Sequence, residues 1–470
     1  MIQALTGYIG RWNAWTSVSI NRRIFAASVI VAAWTLLVHL ATALKDVIVA
    51  YQFGTTDVLD AFLIAFLLPS FLVSVIAGSL PSAFVPISQE VQRREGQAAG
   101  EALYAGVMGW GLMILIMIFV LMVALAPVVL PALASGFSEE KLNLTRTLYF
   151  MMLPIVVCRG LTAIWTTKLN VNEQFAFGSA IPILSPVLSL ACLIYGVERW
   201  GIYALSAGTV VGALLETLVT GWYVHTLGVG VMPQVSAWSS NLKKVARQYG
   251  PSAVGALLMA STILVDQAMA AMLGPGSVTA LNFGGKILSF AVAIGATALG
   301  TAVLPYFSEM VSTGDWAAIE HTLRKYVGLI LKVTIPLTLL GVVLSEQIVG
   351  ALFQRGAFTA MDTGLVGDVQ AVLLLQLPLY LVGTVVVRLL SALKANHILM
   401  WGCVLNCLLN ILLNYVLMQW LHVVGIALAT FVVYLSSVTF LSYMLRRTLV
   451  EHRRVSECQP TTLATCTERW

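Results

Sequence analysis

Apolar residues in this chain come in long unbroken runs, not in the alternation of a half-buried strand. The runs are about 20 residues long, the length at which a helix crosses about 30 Å of hydrocarbon. They begin near Ile24, Val58, Glu101, Leu142, Gly178, Gly201, Asn241, Val278, Glu320, Thr363, His397 and Val423, which predicts twelve membrane-spanning helices and an all-α fold. The polar connections are short. The longest, around Gln89 to Gly100 and Ser308 to Glu320, leave no room for an inserted soluble domain.

Positive charge marks the two sides. Lys and Arg gather at Arg22/Arg23, Arg93/Arg94, Lys168, Lys243/Lys244/Arg247, Arg324/Lys325, Lys394 and Arg446/Arg447/Arg453/Arg454, which are the two termini and every second loop. The opposite loops hold little beyond Lys141, Arg199 and Arg355. The positive-inside rule then places both termini in the cytoplasm. The run after Arg22 and Arg23 is too long for a signal-peptide core and lacks a cleavage motif, so it reads as a first membrane helix.

The pattern also repeats. "LKDVIVAYQFG" from Leu44 matches "LVDQAMAAMLG" from Leu264 at Leu, Asp, Ala and Gly. The register continues with Pro86 on Pro305, Glu90 on Glu309, Leu153-Pro154 on Leu377-Pro378, and Gly201-Ile202 on Gly425-Ile426. An even number of helices per unit keeps both halves in one orientation, so the expectation is a parallel pair of six-helix lobes around a central cavity. The boundaries read as a cytoplasmic segment at 1–23, an N-lobe at 24–228, a C-lobe at 241–446 and a cytoplasmic tail at 447–470.

Composition agrees with a polytopic membrane protein: 59% of the 470 residues are hydrophobic and 10% charged, and mean hydropathy is +0.90. The net charge of +5 is scattered over short loops, which argues against nucleic acid as a partner. The six cysteines form no CxxC pair, and four lie inside apolar runs, so neither a zinc site nor a disulfide framework is indicated.

A charge near mid-bilayer costs at least about 2.5–3.5 kcal/mol and faces a cavity or the bundle interior. The candidates are His39, Lys45, Asp46, Arg159 and Glu216 in the first half, and Asp266, Lys286, Lys332 and Arg388 in the second. Lys45 and Asp46 are adjacent, and partners on one helix face sit three or four apart, so the two are not expected to face each other. Asp266 repeats Asp46, but Val265 stands where Lys45 does, which makes the acid common to the repeat and the lysine special to the first half. Lys286, in "LNFGGKILSFAVAIG", has no loop nearby. Cations in a water-poor cavity suit a diphosphate, because charge-assisted hydrogen bonds strengthen there.

"NCLLNILLN" sets Asn406, Asn410 and Asn414 four apart on one helix face. Interhelical hydrogen bonding is the ordinary use of such asparagines. A sharper reading joins Asn406 and Asn410 to Asp266 and Thr430 as a candidate sodium site, one carboxylate with several neutral oxygens.

The stretches "KDVIVAYQFGTTDVLDAFLIAFLLPSFL", "SAFVPISQE", "GTAVLPYFSE" and "LFQRGAFTAMDT" resemble the signatures of the MurJ/MviN family of lipid II flippases, within the multidrug/oligosaccharidyl-lipid/polysaccharide exporter superfamily. The resemblance runs from about Thr35 to about Leu445 in helix order. It implies cavity arginines that hold the diphosphate of a lipid-linked sugar; their places here are taken by His39, Lys45 and Lys286, and Asp46 and Asp60 keep the family's acids. It also implies a sodium site at Asp266, Asn406, Asn410 and Thr430.

The departures matter. Val73 and Ser74 stand where another cavity arginine is expected, Leu67 replaces the usual lysine of its stretch, and Asn410 stands where an acid is expected. The two further helices of typical members, which help form a lipid-tail groove, are not expected in a chain ending at Trp470 after a polar tail. The cargo therefore reads as lipid II or a related exopolysaccharide precursor on polyprenyl diphosphate. Membrane lipids and cell-envelope or polysaccharide biosynthesis enzymes are the implied partners, and sodium is the candidate coupling ion.

No GxxxxGK[ST] motif occurs, so ATP is not the expected energy source. Two rivals make different demands. A cation-coupled multidrug antiporter of the same superfamily would bind hydrophobic cations near Asp46, Asp266 or Glu216. A membrane glycosyltransferase or ligase would need acid/base or metal groups in its outer loops, where only scattered residues such as Asp57, Glu139, Glu140 and Asp362 are available.

Overall fold

A computed structural model describes residues 20–230, 233, 238–393 and 395–464. The chain up to residue 19, Lys394 and Cys466 lie outside the described residues. Among the described residues there is no strand, and eleven helices are long and apolar enough to cross a membrane. The last of them, α15 (Asn396–Ala464), is two helices joined at His422, which has φ 50° and ψ −132°. With that division the spans follow the twelve runs read from the sequence.

The first half comprises α1 (Ile20–Phe53), α2 (Asp57–Glu95), α3 (Gln97–Leu133), α4 (Glu139–Met152), α5 (Pro154–Val171), α6 (Phe175–Ala180), α7 (Leu184–Trp200) and α8 (Ile202–Thr226). The second comprises α9 (Ser240–Ala270), α10 (Ser277–Thr313), α11 (Trp316–Val343), α12 (Ser345–Phe353), α13 (Ala360–Leu374), α14 (Leu377–Ala392) and α15. The two stretches read as the longest polar loops are mostly helix, since α2 and α3 are separated only by Gly96, and α10 and α11 only by Gly314 and Asp315.

Contacts divide the chain into two units, but not at the linker around residue 230. One unit holds residues up to Val49, Leu68–Leu130 and Asn143–Ala256; the other holds Ala50–Leu67, Pro131–Leu142 and the chain from Leu257. The boundaries at 228 and 241 therefore do not mark the compact units. The reason is visible in the second unit, where Tyr51, Thr55, Asp60 and Lys141 make their polar contacts with one another or with residues beyond 270.

In the first unit, α2 runs on through Pro69, Pro81 and Pro86. Each proline lacks the N–H that the carbonyl four residues earlier would accept. For Pro86 that carbonyl is Ser82, and the Gln248 side-chain amide donates to it at 3.2 Å, a substitution of the kind that lets proline persist in membrane helices. Helices α7 and α8 approach closely because small residues face each other: a Cβ at Gly208 would strike Ser189, and one at Gly212 would strike Ser185. Phe84, Met108, Leu115, Ile164 and Leu169 form the apolar core of this unit.

In the second unit, one core gathers Phe307, Ile319, Leu377, Val385 and Leu389, and another Ile64, Leu67, Ala271, Leu281 and Ile426. His422 breaks α15 with the dihedrals that Gly201, at φ 52° and ψ −129°, uses between α7 and α8. The repeat thus puts the break at His422, one helical turn before the Gly425 that the sequence alignment selected. A side chain at positive φ carries strain, of order 1–3 kcal/mol in sparsely populated backbone regions. His422→Gly is expected to raise the melting temperature of the purified protein; an unchanged or lower value would show the conformation to be unstrained.

Candidate functional site

Two polar clusters lie within the spans or at their ends, each inside one unit, and a third set of cations is divided between the units. The first surrounds Asp60, which is 1% exposed on the first turn of α2. Helix α10 starts with Gly276 at its N-cap, a residue with no side chain to satisfy the first amides. Asp60 supplies that cap from a distant part of the chain. It accepts from the backbone N–H of Gly276 at 2.8 Å, and from the backbone N–H and hydroxyl of Thr279 at 2.8 and 2.7 Å. The Lys141 ammonium donates to it at 3.0 Å and also pairs with Asp57.

Beside this cluster the "YQFGTT" and "LFQRGAFTAMDT" stretches join. The Ala357 N–H donates to the Tyr51 carbonyl at 2.8 Å, and the Thr55 hydroxyl donates to Asp362. Asp362 also closes a capping box with Thr359 at the start of α13. Gly54 (φ 57°) is required here, because a Cβ would overlap the Ala357 carbonyl. With its carboxylate engaged by four donors, Asp60 is an anchor of the second unit. The resemblance implies a substrate-binding role for Asp60 as for Asp46, and the contacts seen here add a structural one.

The second group is Asp266 on α9. Asn410 and Asn414 donate their amide N–H to one carboxylate oxygen at 2.9 and 2.7 Å, and the Thr430 hydroxyl donates to the other at 3.2 Å. Asn406 lies one turn away and donates instead to the Ser437 hydroxyl at 3.0 Å, so it is replaced by Asn414 in the Asp266 cluster. The equal spacing of the three asparagines carried that signal. The Oδ1 atoms of Asn410 and Asn414 are buried and receive no hydrogen bond. A carboxylate, a hydroxyl and two such amide oxygens fit a small hard cation by donor chemistry. Among the described residues no group of three His, Cys, Asp or Glu gathers in a manner suited to a transition metal.

The cations form the third set. His39 and Lys45 lie on α1, both half-buried, in the first unit; Lys286, also half-buried, lies on α10 in the second. Lys45 and Asp46 do meet, at 3.1 Å, contrary to the helical-face expectation. Adjacent residues point about 100° apart, but the four-carbon lysine stem is long enough to swing the ammonium back onto its neighbour. Asp46 is 6% exposed. Repeat-related Asp266 lacks such a base and uses amides.

Sequence reasoning treated Arg159 and Glu216 separately. They lie 3.6 Å apart between α5 and α8, and the Arg159 guanidinium donates to the Ser185 hydroxyl at 2.9 Å. Lys141, read as a loop cation without a role, was missed altogether. Its only sequence signal was the acidic pair Asp57 and Asp60 on the first turn of α2, which calls for a counter-charge.

Long apolar helices, a duplicated framework and ionisable residues buried within it define a polytopic membrane transporter. The sequence profile described as lipid II flippase MurJ matches residues 49–463, and the chain belongs to that family. The lipid II flippase MurJ of Burkholderia cenocepacia is 26% identical over 380 residues, covering 78% of this chain and 72% of the relative. A probable lipid II flippase MurJ of a Synechocystis species is 26% identical over 448 residues, covering 89% and 81%. Among solved structures, the inward closed conformation of lipid II flippase MurJ superposes with a TM-score of 0.79 at 20% identity, over 90% of each chain. An inward-facing multidrug resistance MATE family transporter of the MOP superfamily gives 0.76 at 11% identity, covering 91% of this chain and 99% of that one. At those identities the structural likeness concerns the fold.

Proposed function

We propose that this protein is a flippase that carries a polyprenyl-diphosphate-linked saccharide, lipid II or a related exopolysaccharide precursor, across the bacterial cytoplasmic membrane by alternating access. The observation that carries this reading is the family match over residues 49–463, which spans every candidate position except His39 and the adjacent Lys45 and Asp46. Lys45 in the first unit and Lys286 in the second are each assigned as a contact of the diphosphate in the course of transport. Lys45 exchanges Asp46 for a phosphate oxygen when the headgroup enters, and His39 adds a further donor on the same helix. The polyprenyl tail stays in the bilayer.

With the cytoplasm negative, moving an anion outward is favoured by about 2.3 kcal/mol per charge per 100 mV. The basic loops support a cytoplasmic position for both termini. A multidrug antiporter shares the fold, but of the two readings only the flippase uses the Lys45 and Lys286 cations for its cargo. The test is reconstitution: with lipid II in sealed vesicles, the wild-type protein makes the headgroup on the sealed face accessible to an impermeant reagent. Headgroups that stay sequestered in vesicles containing folded protein would refute the assignment.

Sodium fits the Asp266 cluster. Asp266, Asn410, Asn414 and Thr430 would hold it, and when bound it supplies the positive charge that the carboxylate otherwise takes from amide donors. Asp266 and the two asparagines lie on different helices, so filling the site ties α9 to α15. Sodium at a hundredfold excess over its Kd is expected to stabilise the protein by about 2.7 kcal/mol, read as a higher melting temperature in sodium chloride than in choline chloride. The shift should vanish in Asp266→Asn and shrink in Asn414→Ala. Equal melting of the wild type in the two salts would remove the ion from this site.

A further inference from the structure

At one end of the second unit, α11, α14 and α15 enclose a cleft of about 540 Å³ that none of the residues above uses. Its floor is apolar: Trp316, Leu323 and Val327 from α11, Val382 from α14, and Leu445 and Leu449 from α15. Its rim is cationic. Arg324 and Arg446 line it from different helices, with Lys325 and Arg447 adjacent in the chain. Two carboxylates oppose them: Glu320, which accepts from Arg324 at 2.6 Å, and Glu451, 3.4 Å from Arg447. Arg324 keeps most of its five N–H donors.

From this juxtaposition of an apolar floor with arginines on two walls, we infer that the cleft is a binding site for an anionic phospholipid of the cytoplasmic leaflet. The phosphate sits between Arg324 and Arg446, and an acyl chain lies over Val327 and Val382. Arginine's planar fork suits phosphate. The basic clusters that include these residues assign this end of the unit to the cytoplasmic surface by the positive-inside rule, where anionic lipid is concentrated and basic pockets between helices take its headgroups. Trp316 starts α11 directly after Asp315, which caps the helix by accepting from the Ala318 N–H at 2.9 Å. An indole at that position belongs at the headgroup level. This assignment does not depend on the saccharide cargo.

The test is native mass spectrometry of the full chain released from detergent, titrated separately with phosphatidylglycerol and phosphatidylcholine of matched chains. One phosphatidylglycerol is expected to stay bound with roughly thirtyfold preference, the product of two arginine contacts at the membrane surface. The double variant Arg324→Gln/Arg446→Gln, altered only at exposed side chains, should lose that preference while keeping the wild-type melting profile. In vesicles, phosphatidylglycerol brominated on its acyl chain should quench the wild type more than Trp316→Phe. Equal retention of the two lipids by the wild type, or an undiminished preference in the double variant, would overturn the site. So would identical quenching of wild type and Trp316→Phe.

Discussion

Replacing Asp60 by alanine is expected to cost about 3–5 kcal/mol, the range seen when one partner of a buried ion pair is removed, and to abolish transport with it. The carboxylate is 1% exposed and receives four donors. Its loss leaves two backbone amides at the start of α10 without an acceptor, removes the anion that the positive end of that helix favours, and takes away one of the two carboxylates that pair with Lys141. Asp60→Asn keeps the shape but gives up the charge, so it should fall between alanine and wild type. Asp57→Asn is the control: that side chain is 52% exposed, and exposed pairs contribute about 0–1 kcal/mol. Thermal or denaturant unfolding of the purified protein reads the series. Asp60→Ala as stable as Asp57→Asn would mean that the α10 cap does not hold this unit together.

The second large effect falls on transport. Lys286→Ala and Lys45→Ala are each expected to lower the translocation rate by roughly 10- to 100-fold, since a hydrogen bond to a charged group contributes about 1.5–3 kcal/mol and each 1.36 kcal/mol is tenfold in rate. Lys45 already shares its charge with Asp46 at 3.1 Å, so part of what it offers a phosphate is spent on separating that pair. Lys→Arg at either position keeps the charge and should retain most activity, whereas Lys→Gln should behave like alanine. Rates for both alanine variants at the wild-type level, with normal amounts of folded protein, would take these lysines out of cargo recognition.

What could be read from the sequence follows the range of the interaction. Spans were legible because twenty apolar residues in a row are a local property that the bilayer interprets directly. Asp266 with Asn410 was legible too, through the repeat and through four-residue spacing on one helix. Asn414 satisfied the same spacing, and only its reach to Asp266, 2.7 Å across two helices, separates it from Asn406.

The work of Asp60 was not legible, because its partners lie more than 80 and more than 210 residues further along the chain, and nothing local at Gly276 announces a missing cap except the glycine itself. Lys45 and Asp46 show the opposite limit. Helical periodicity describes where Cβ atoms point, and a long flexible side chain is free to disregard it. The break at His422 was hidden for a related reason: the sequence favoured Gly425 as the partner of Gly201, while the backbone placed the positive φ on a histidine.

Recognition of a diphosphate by lysines carried on duplicated bundles is the centre of this account, and headgroup selectivity tests it most directly. In vesicles containing the wild-type protein, the same saccharide is presented on polyprenyl diphosphate and on polyprenyl monophosphate, and the rate of appearance on the opposite face is measured for each. Markedly faster transfer of the diphosphate is expected, with the difference narrowing in Lys286→Ala. Equal rates for the two headgroups in the wild type would contradict it.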